Sequence, residues 1–315
     1  MKNIRLLVLL VLSLFAFPLT AQEEAESEAD DEQVVSKQAE EEAKKAKKEK
    51  KNAERADKKR KRNERTDTYL GVVYLPVANY EMKSGKVQIA LRGGTGSFNI
   101  GAVRGKGSPI AILDSVDDSS TSYFSVLVDS YEYRLNHDAG VTPEVRELDE
   151  GCQLAYTIEN QLQVVIAFTP FSSVTDAPAD MVRLTVYTTS LSQKKQTVAI
   201  KALFDTVLGE NTDYHFYTAS GIRIDSARQF TDFDTERWIA SSNGKTTAQF
   251  LFSGRTISTP EAVSIANRDE LYRARWIPLI VERKGFNGVL TYNNSAIAVS
   301  WQSFVLEPEK TETLT

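Results

Sequence analysis

Short strand-like runs recur along most of this chain, and they constrain its fold more than any other feature. The runs are YLGVVYL, KVQIALR, SFNIGAV, YFSVLV, CQLAYTI, LQVVIAF, MVRLTVYT, TVAIKALF, TAQFLF and SAIAVSW. Clusters of Gly, Asn, Asp, Ser and Pro separate them, a pattern typical of strands in a large antiparallel sandwich or barrel. The sequence therefore predicts an all-β fold, a large antiparallel β-sandwich, for residues 66–315.

Two local patterns refine this prediction. Successive side chains of a strand alternate between its faces, so SAIAVSW is expected to be a core strand with Ile297, Val299 and Trp301 on one buried face. The segment NRDELYRAR has helical periodicity instead. One short helix is therefore expected within the β domain.

The first 21 residues have the layout of a secretory signal peptide. Lys2 and Arg5 precede an apolar run from Leu6 to Leu12, and the small residue Ala21 follows. The run is too short to span a bilayer comfortably. We expect cleavage after Ala21, a periplasmic or secreted protein, and no transmembrane segment after cleavage. An uncleaved N-terminal anchor is the alternative.

Residues 22–65 form a charged arm without one aromatic residue. Its acidic first half is expected to be disordered, because it cannot bury enough apolar surface to offset chain entropy. In its basic second half, Glu40 and Glu54 each precede a lysine by four residues, which favours a solvated helix. The candidate partner-binding residues of the arm are Lys44, Lys48, Lys51, Lys58, Arg60 and Arg62.

The basic end of the arm could attract anionic lipid headgroups, a polysaccharide or another acidic polymer, or a protein partner in the cell envelope. Nucleic acid is not an expected partner, because an exported protein rarely meets it. A spacer that binds nothing is the alternative. The arm shares no apolar face with the β domain, so we expect it to be dispensable for folding.

No motif for a cofactor or a metal is complete. In LRGGTGSFNIGAVRGKGSP, Asn99 replaces the last glycine of a dinucleotide fingerprint, and Gly107 stands where a P-loop needs Ser or Thr. TDFDTER has Arg237 where a calcium loop needs glycine. The single cysteine, Cys152, precedes alternating apolar residues and is expected to be a small buried hydrophobe. We predict tight turns at the glycines, no cofactor and no metal.

The stretch LFDTVLGENTDYHFY, residues 203–217, is the strongest candidate for chemistry, because it places His215 near several carboxylates. A well-made turn is the preferred explanation of the same residues. Gly209 would supply a left-handed residue, and Asp205 and Asn211 would bond neighbouring backbone amides as Asx turns do. With Thr206, these residues are interpreted as a structural turn, and no catalytic residue is assigned.

The order of FDTVLGEN, RARWIPLI and NNSAIAVSWQSFVLEPEKTETL resembles secreted bacterial β-proteins of the supersandwich type, the galactose-mutarotase-like domains. In that family a segment Leu-Asp-Thr-x-x-Gly-x-Asn-Asp-Gly joins two central strands. Asp205, Thr206, Gly209 and Asn211 match it, whereas the Asn-Asp-Gly ending is not kept. The resemblance covers residues 196–315 and implies a supersandwich fold.

The same resemblance bears on activity, because mutarotases use two histidines and a glutamate to open and close a sugar ring. HFYTASG at His215 resembles their second histidine segment, but NHDAG at His137 does not match the first. No glutamate can be assigned as the base. The leader ending in Leu-Thr-Ala-Gln and the charged arm also resemble spirochaete periplasmic proteins.

These patterns lead to two main functional hypotheses. The first is a non-catalytic periplasmic scaffold or adaptor that binds other envelope proteins, of which a component associated with a periplasmic flagellar motor or filament is one specific form. The second is a carbohydrate-binding or carbohydrate-modifying domain, with His215, Tyr217 and Trp238 as the candidate ligand face. An assembly factor that acts through the basic arm is a third reading.

Overall fold

A computed structural model describes residues 8–12, 79–105, 109–116, 119–210, 215–274, 276–281 and 295–315 of the chain. The predicted arm, residues 22–65, and the run YLGVVYL lie outside these residues. All the described residues belong to one compact unit.

The described strands pair antiparallel throughout and form two large sheets, numbered here in chain order. In spatial order, sheet A contains β10 (Val141–Leu148), β11 (Gly151–Ile158), β12 (Leu162–Phe171), β13 (Met181–Ser190), β1 (Val8–Leu12), β19 (Thr247–Leu251), β18 (Trp238–Ser242), β15 (Phe216–Thr218) and β16 (Arg223–Ile224), with β23 (Thr311–Leu314) also on β13. Sheet B contains β17 (Arg228–Phe230), β20 (Ala262–Asn267), β21 (Ser295–Ser300), β14 (Gln196–Asp205), β8 (Tyr123–Val128) and β9 (Tyr131–Arg134), with β22 (Phe304–Leu306) also on β14. The predicted all-β, antiparallel sandwich is confirmed.

Smaller elements flank these sheets. Sheet C contains β2 (Asn79–Ser84), β3 (Val87–Arg92), β4 (Ser97–Ala102) and β5 (Ile110–Ala111), and a separate ribbon contains β6 (Ser115–Val116) and β7 (Ser119–Ser120). Helix α1 covers Arg268–Arg273. It begins because the Asn267 side chain accepts a hydrogen bond from the Asp269 amide, a standard N-cap, so the helical pattern in the sequence is confirmed.

A chain of phenylalanine rings joins the three sheets in one core. Phe98 of sheet C lies 5.3 Å from Phe168 of sheet A and 5.8 Å from Phe124 of sheet B, measured between ring centroids. Phe124 contacts Phe204, which lies 5.3 Å from Phe250 of sheet A. Rings at such distances and tilts add favourable pair energy to their buried area.

The centre of sheet B is buried on both faces. Strand β21 lies between β20 and β14, and all six of its residues are buried, as is Trp301 directly after it. The predicted burial of Ile297, Val299 and Trp301 is therefore confirmed. The Trp301 indole Nε1–H donates to the Ser258 carbonyl at 3.2 Å, so this aromatic residue has a partner for its one polar group.

Two smaller predictions are also confirmed. Cys152 is fully buried in β11, and burial raises the pKa of its thiol to about 12, which makes it inert. The glycines of LRGGTGSF form a turn between β3 and β4, where Gly96 has a positive φ of 64°. A Cβ at Gly96 would also lie 2.9 Å from the Tyr156 ring, so this turn requires glycine for two reasons.

Strand β1 comes from the stretch that the sequence predicts to be a leader. It lies between β13 and β19 and is antiparallel to both, with Val8 opposite Leu184 and Leu12 opposite Ala248. It is the single strand that joins the two halves of sheet A within the described residues. Cleavage after Ala21 stays a prediction.

Candidate functional site

A buried polar cluster occupies the place where the chain passes from sheet B to sheet A. Strand β14 ends at Asp205, and Thr206 forms an isolated bridge with Leu113. The chain re-enters the described fold at His215 and continues into β15 of sheet A. The residues at this crossover are those that the sequence marked as a candidate for chemistry.

His215 is the centre of the cluster and is only 2% exposed. Its Nε2 lies 2.9 Å from the Thr206 hydroxyl, and its Nδ1 lies 2.6 Å from the hydroxyl of Ser295 at the start of β21. The Thr206 hydroxyl donates to Ser241 Oγ of β18 at 2.9 Å. One imidazole therefore joins strands of both sheets.

Both nitrogens of the His215 imidazole are engaged inside the protein, by the hydroxyls of Thr206 and Ser295. A hydroxyl can both donate and accept, so these contacts hold the ring in its neutral and in its protonated form. What the geometry defines is a buried ring that connects strands of the two sheets.

Asp205 is the second ionisable group of the crossover and is 1% exposed. Burial raises the pKa of its carboxyl to about 7, although the Thr121 hydroxyl and the Arg268 guanidinium favour the charged form. Arg268 Nε lies 3.8 Å from Oδ2, and neither oxygen makes a well-formed hydrogen bond to the described residues. The buried carboxyl is poised to gain or lose a proton near neutral pH.

The Asx turns expected at the crossover are therefore not what the structure shows for Asp205. Its carboxylate lies beside Arg268 and caps no backbone amide, because the β14 strand carries this side chain into the interior. Its main chain is what holds the connection: the Asp205 carbonyl accepts from the Asp114 amide at 2.8 Å, and its amide donates to Ser122 Oγ. Asn211 lies outside the described residues.

The reason given for Gly209 was also wrong. Gly209 is not among the described glycines with a positive φ, so no left-handed conformation requires it. It is required by close approach: a Cβ there would lie 2.4 Å from the His215 carbonyl oxygen and 2.5 Å from His215 Cδ2. Sequence alone cannot find such a contact, because it depends on how the two ends of the connection pack.

The three residues of the candidate ligand face do not share one surface in the structure. Tyr217 and Trp238 come together as a perpendicular pair with their centroids 5.8 Å apart, and both are half-buried. His215 lies inside, stacked on Phe216 at 4.4 Å. An accessible aromatic surface therefore contains Tyr217 and Trp238 without the histidine.

A buried lysine in the middle of β14 was missed by the sequence analysis. Lys201 Nζ lies 2.8 Å from Glu132 Oε1 and 4.8 Å from the centroid of the Trp276 ring. Burial lowers the pKa of the Lys201 ammonium, and the hydrogen bond to Glu132 opposes that change. The sequence did contain a signal, since Lys201 interrupts the apolar run TVAIKALF. A lysine in a buried strand needs an acidic or aromatic partner, so its position indicated a paired lysine in the core.

The acidic segment TDFDTER, the incomplete calcium loop of the sequence, forms a turn. The Asp232 carboxylate accepts hydrogen bonds from the Asp234 and Thr235 amides and from the Thr235 hydroxyl. These bonds lower the pKa of Asp232, with the hydroxyl as the largest cause. Glu236 turns inward and accepts from the Ser220 amide. Within the described ranges, no group of three or more His, Cys, Asp or Glu side chains is placed to hold a metal ion.

The surface after helix α1 is apolar, and we call residues 277–281 the post-helix segment. Ile277 is 40% exposed, Leu279 94% and Val281 64%. The segment borders a cavity of about 480 Å³, which Leu271 of helix α1 also lines. Neighbouring large apolar side chains at such exposure are uncommon on a folded domain.

Comparison with models of known protein families and with curated proteins finds no match for this chain. Helical structure in the described part of the chain lacks the length and apolar character needed to cross a bilayer. The class that the fold and the crossover define is an antiparallel β-sandwich whose buried polar cluster joins its two sheets.

Proposed function

We propose that this chain is a non-catalytic scaffold or adaptor of the cell envelope, exported by its leader, that binds other envelope proteins through the sandwich. A component associated with a periplasmic flagellar motor or filament is one specific form of this proposal. The basic arm would add a second contact, to a protein, a polysaccharide or an anionic surface.

The post-helix segment carries the proposal. Its three exposed residues, Ile277, Leu279 and Val281, alternate along the chain, and an isolated protein would leave their apolar surface in water. Protein interfaces are centred on apolar residues of this kind and rimmed by charge. Asp269 and Arg273 of helix α1 line the same cavity and supply such a rim.

The crossover supports the same proposal. A general acid or base must reach a proton on a substrate, which requires an accessible site. His215 is buried, and its two ring nitrogens lie within hydrogen-bond distance of the Thr206 and Ser295 hydroxyls. These hydrogen bonds connect strands of the two sheets, and this structural role accounts for the position of His215.

The test compares Leu279→Ser with Val305→Ser in the native cell. Val305 is a matched control, because it is 58% exposed on β22 and lies outside the post-helix segment. Chemical cross-linking should yield protein adducts of the wild type and of the Val305 variant, and these should be lost in the Leu279 variant at equal abundance. Equal adducts in all three chains would contradict the proposal.

A carbohydrate-handling domain is the second candidate, and the mutarotase-like resemblance belongs to it. The observation that favours it is the half-buried pair Tyr217 and Trp238, since aromatic rings commonly contact sugars through an apolar face. Titration calorimetry with galactose and with envelope polysaccharide should then give heat of binding that Trp238→Ala abolishes. Binding that persists in that variant would exclude the pair as the ligand face.

A further inference from the structure

A cavity of about 330 Å³, which we call the edge cavity, is lined by residues of both large sheets. Its volume lies at the lower end of the range of small-molecule sites. Sheet B contributes Trp301, directly after β21, and Phe304 of β22. Sheet A contributes Glu312 and Leu314 of β23, and Ser258, between β19 and β20, completes the wall.

The strand registers show that the side chains of the edge cavity point to the interior. Directly opposite residues of an antiparallel pair share one face of their sheet. Glu312 lies opposite Thr188 of β13, which is fully buried. Phe304 lies opposite Val198 of β14, which is fully buried too. The edge cavity is therefore bordered by the inner faces of the two sheets.

Ser258 is held in place by the hydrogen bonds of its backbone. Its amide donates to the Thr315 carbonyl at 2.8 Å, and its carbonyl accepts from the Trp301 indole at 3.2 Å. Ser258 is only 9% exposed, and its hydroxyl has no hydrogen-bond partner among the described residues. Burying a polar group without a partner is unfavourable, so this hydroxyl is available to a ligand.

Glu312 carries the only formal charge among the described side chains that line the edge cavity. It is half-buried, and no described cationic side chain lies within ion-pair distance of its carboxylate. A carboxylate in such a place gains from a cation that hydrogen-bonds to it. Organic cations also pack favourably against aromatic rings, which Trp301 and Phe304 supply.

We propose that the edge cavity binds a primary alkylammonium group, such as the end of a lysine side chain or a free alkylamine. An ammonium has three N–H donors and no acceptor. One N–H donates to the Glu312 carboxylate and another to the Ser258 hydroxyl oxygen. The alkyl body packs against Trp301, Phe304 and Leu314. This inference goes beyond the proposed adaptor function and does not rest on it.

Titration calorimetry of the purified protein tests the proposal with n-butylammonium as the probe and 1-butanol as its neutral counterpart. The two share one alkyl body, and butylammonium is charged at neutral pH as a lysine side chain is. We expect saturable binding of butylammonium with a Kd of about 1 mM or tighter, which respects the ceiling for so small a ligand. Because hydrogen bonds to charged groups are strong, 1-butanol should bind at least about 10-fold more weakly.

Two results of this titration would overturn the proposal. Equal binding of the alcohol would describe an apolar cavity without selectivity for a cation. Absence of butylammonium binding would mean that the cavity is closed, or that another part of the chain fills it.

Three variants connect the binding to the named side chains. Glu312→Gln and Ser258→Ala should each weaken butylammonium binding by about 10-fold, because each removes one acceptor of the ammonium. Glu261→Gln is the matched control, since Glu261 is an exposed acid outside the cavity lining, and it should bind as the wild type does. Wild-type affinity in both cavity variants, or an equal loss in the Glu261 variant, would refute the assignment. The Tm of each variant shows that it is folded.

A lysine with both its amino and carboxyl groups blocked as amides distinguishes the two sources of the ammonium. Binding as tight as that of butylammonium assigns the cavity to a lysine side chain of a protein. Binding at least about 10-fold weaker assigns it to a free alkylamine, because the blocked main chain then does not fit. Both results uphold the ammonium site. Neither involves the post-helix segment, so failure of this site leaves the adaptor proposal standing.

Discussion

Asp205→Asn should make the protein more stable at alkaline pH, although it removes a charged group beside an arginine. The pKa of the Asp205 carboxyl rises from 3.8 to about 7 on folding because the side chain is buried. The native state therefore binds this proton more tightly than the unfolded chain. Its contribution to the free energy of unfolding is complete below about pH 4 and is lost as the pH rises through about 7.

The magnitude follows from the same two pKa values. A difference between 3.8 and about 7 corresponds to about 4 kcal/mol of lost stability once the carboxyl is ionised in both states. Asparagine keeps the shape of aspartate and cannot ionise. The variant should therefore match the wild type near pH 4 and exceed it by up to about 4 kcal/mol near pH 8.

Urea unfolding followed by tryptophan fluorescence across this pH range measures the effect. Asp225→Asn is the control, because it makes the same chemical change at an exposed position directly after β16. Its unfolding free energy should follow the wild type at every pH. Parallel curves for the wild type and Asp205→Asn, or a variant that loses stability towards pH 8, would refute the assignment of a buried, uncompensated carboxyl.

The remaining predictions concern the crossover and the arm. Gly209→Ala should lower the free energy of unfolding by about 1–3 kcal/mol because its Cβ meets the His215 backbone, whereas Gly140→Ala, which meets only the Glu159 side chain, should cost less. His215→Gln should cost about 1–3 kcal/mol by leaving buried hydroxyls without their partner, and the exposed His137 should tolerate the same change within about 0.5 kcal/mol. Both histidine variants should keep biological function at normal abundance, and a loss there would revive the sugar-enzyme alternative. Deleting residues 22–65 should leave the Tm within a few degrees of wild type, and a larger drop by calorimetry would show that the arm docks.

Local patterns predicted much of this fold, because each depends on neighbours in sequence. Alternation located β12, β14 and β21, and the burial of Trp301 follows from the period of a strand. The helix at Arg268–Arg273 was visible from its periodicity. Side-chain burial of Cys152 followed from the apolar residues around it.

The candidate site was harder to predict, because its contacts join distant parts of the chain. His215 and Ser295 are 80 residues apart in sequence, and no pattern near either residue indicates the other. The same holds for Asp205 and Arg268. The necessity of Gly209 was predicted for the wrong reason, since a close approach between backbone segments leaves no signature in composition or spacing.

The adaptor proposal is tested most directly by a photoreactive amino acid placed at Leu279 of the exported chain in its native cell. Illumination should produce a defined protein adduct at this position, identifiable by mass spectrometry. The same residue at Val174, which is also strongly exposed but lies outside the post-helix segment, should give none. Equal labelling at both positions, no protein adduct at Leu279, or an adduct made of sugar alone would contradict the account.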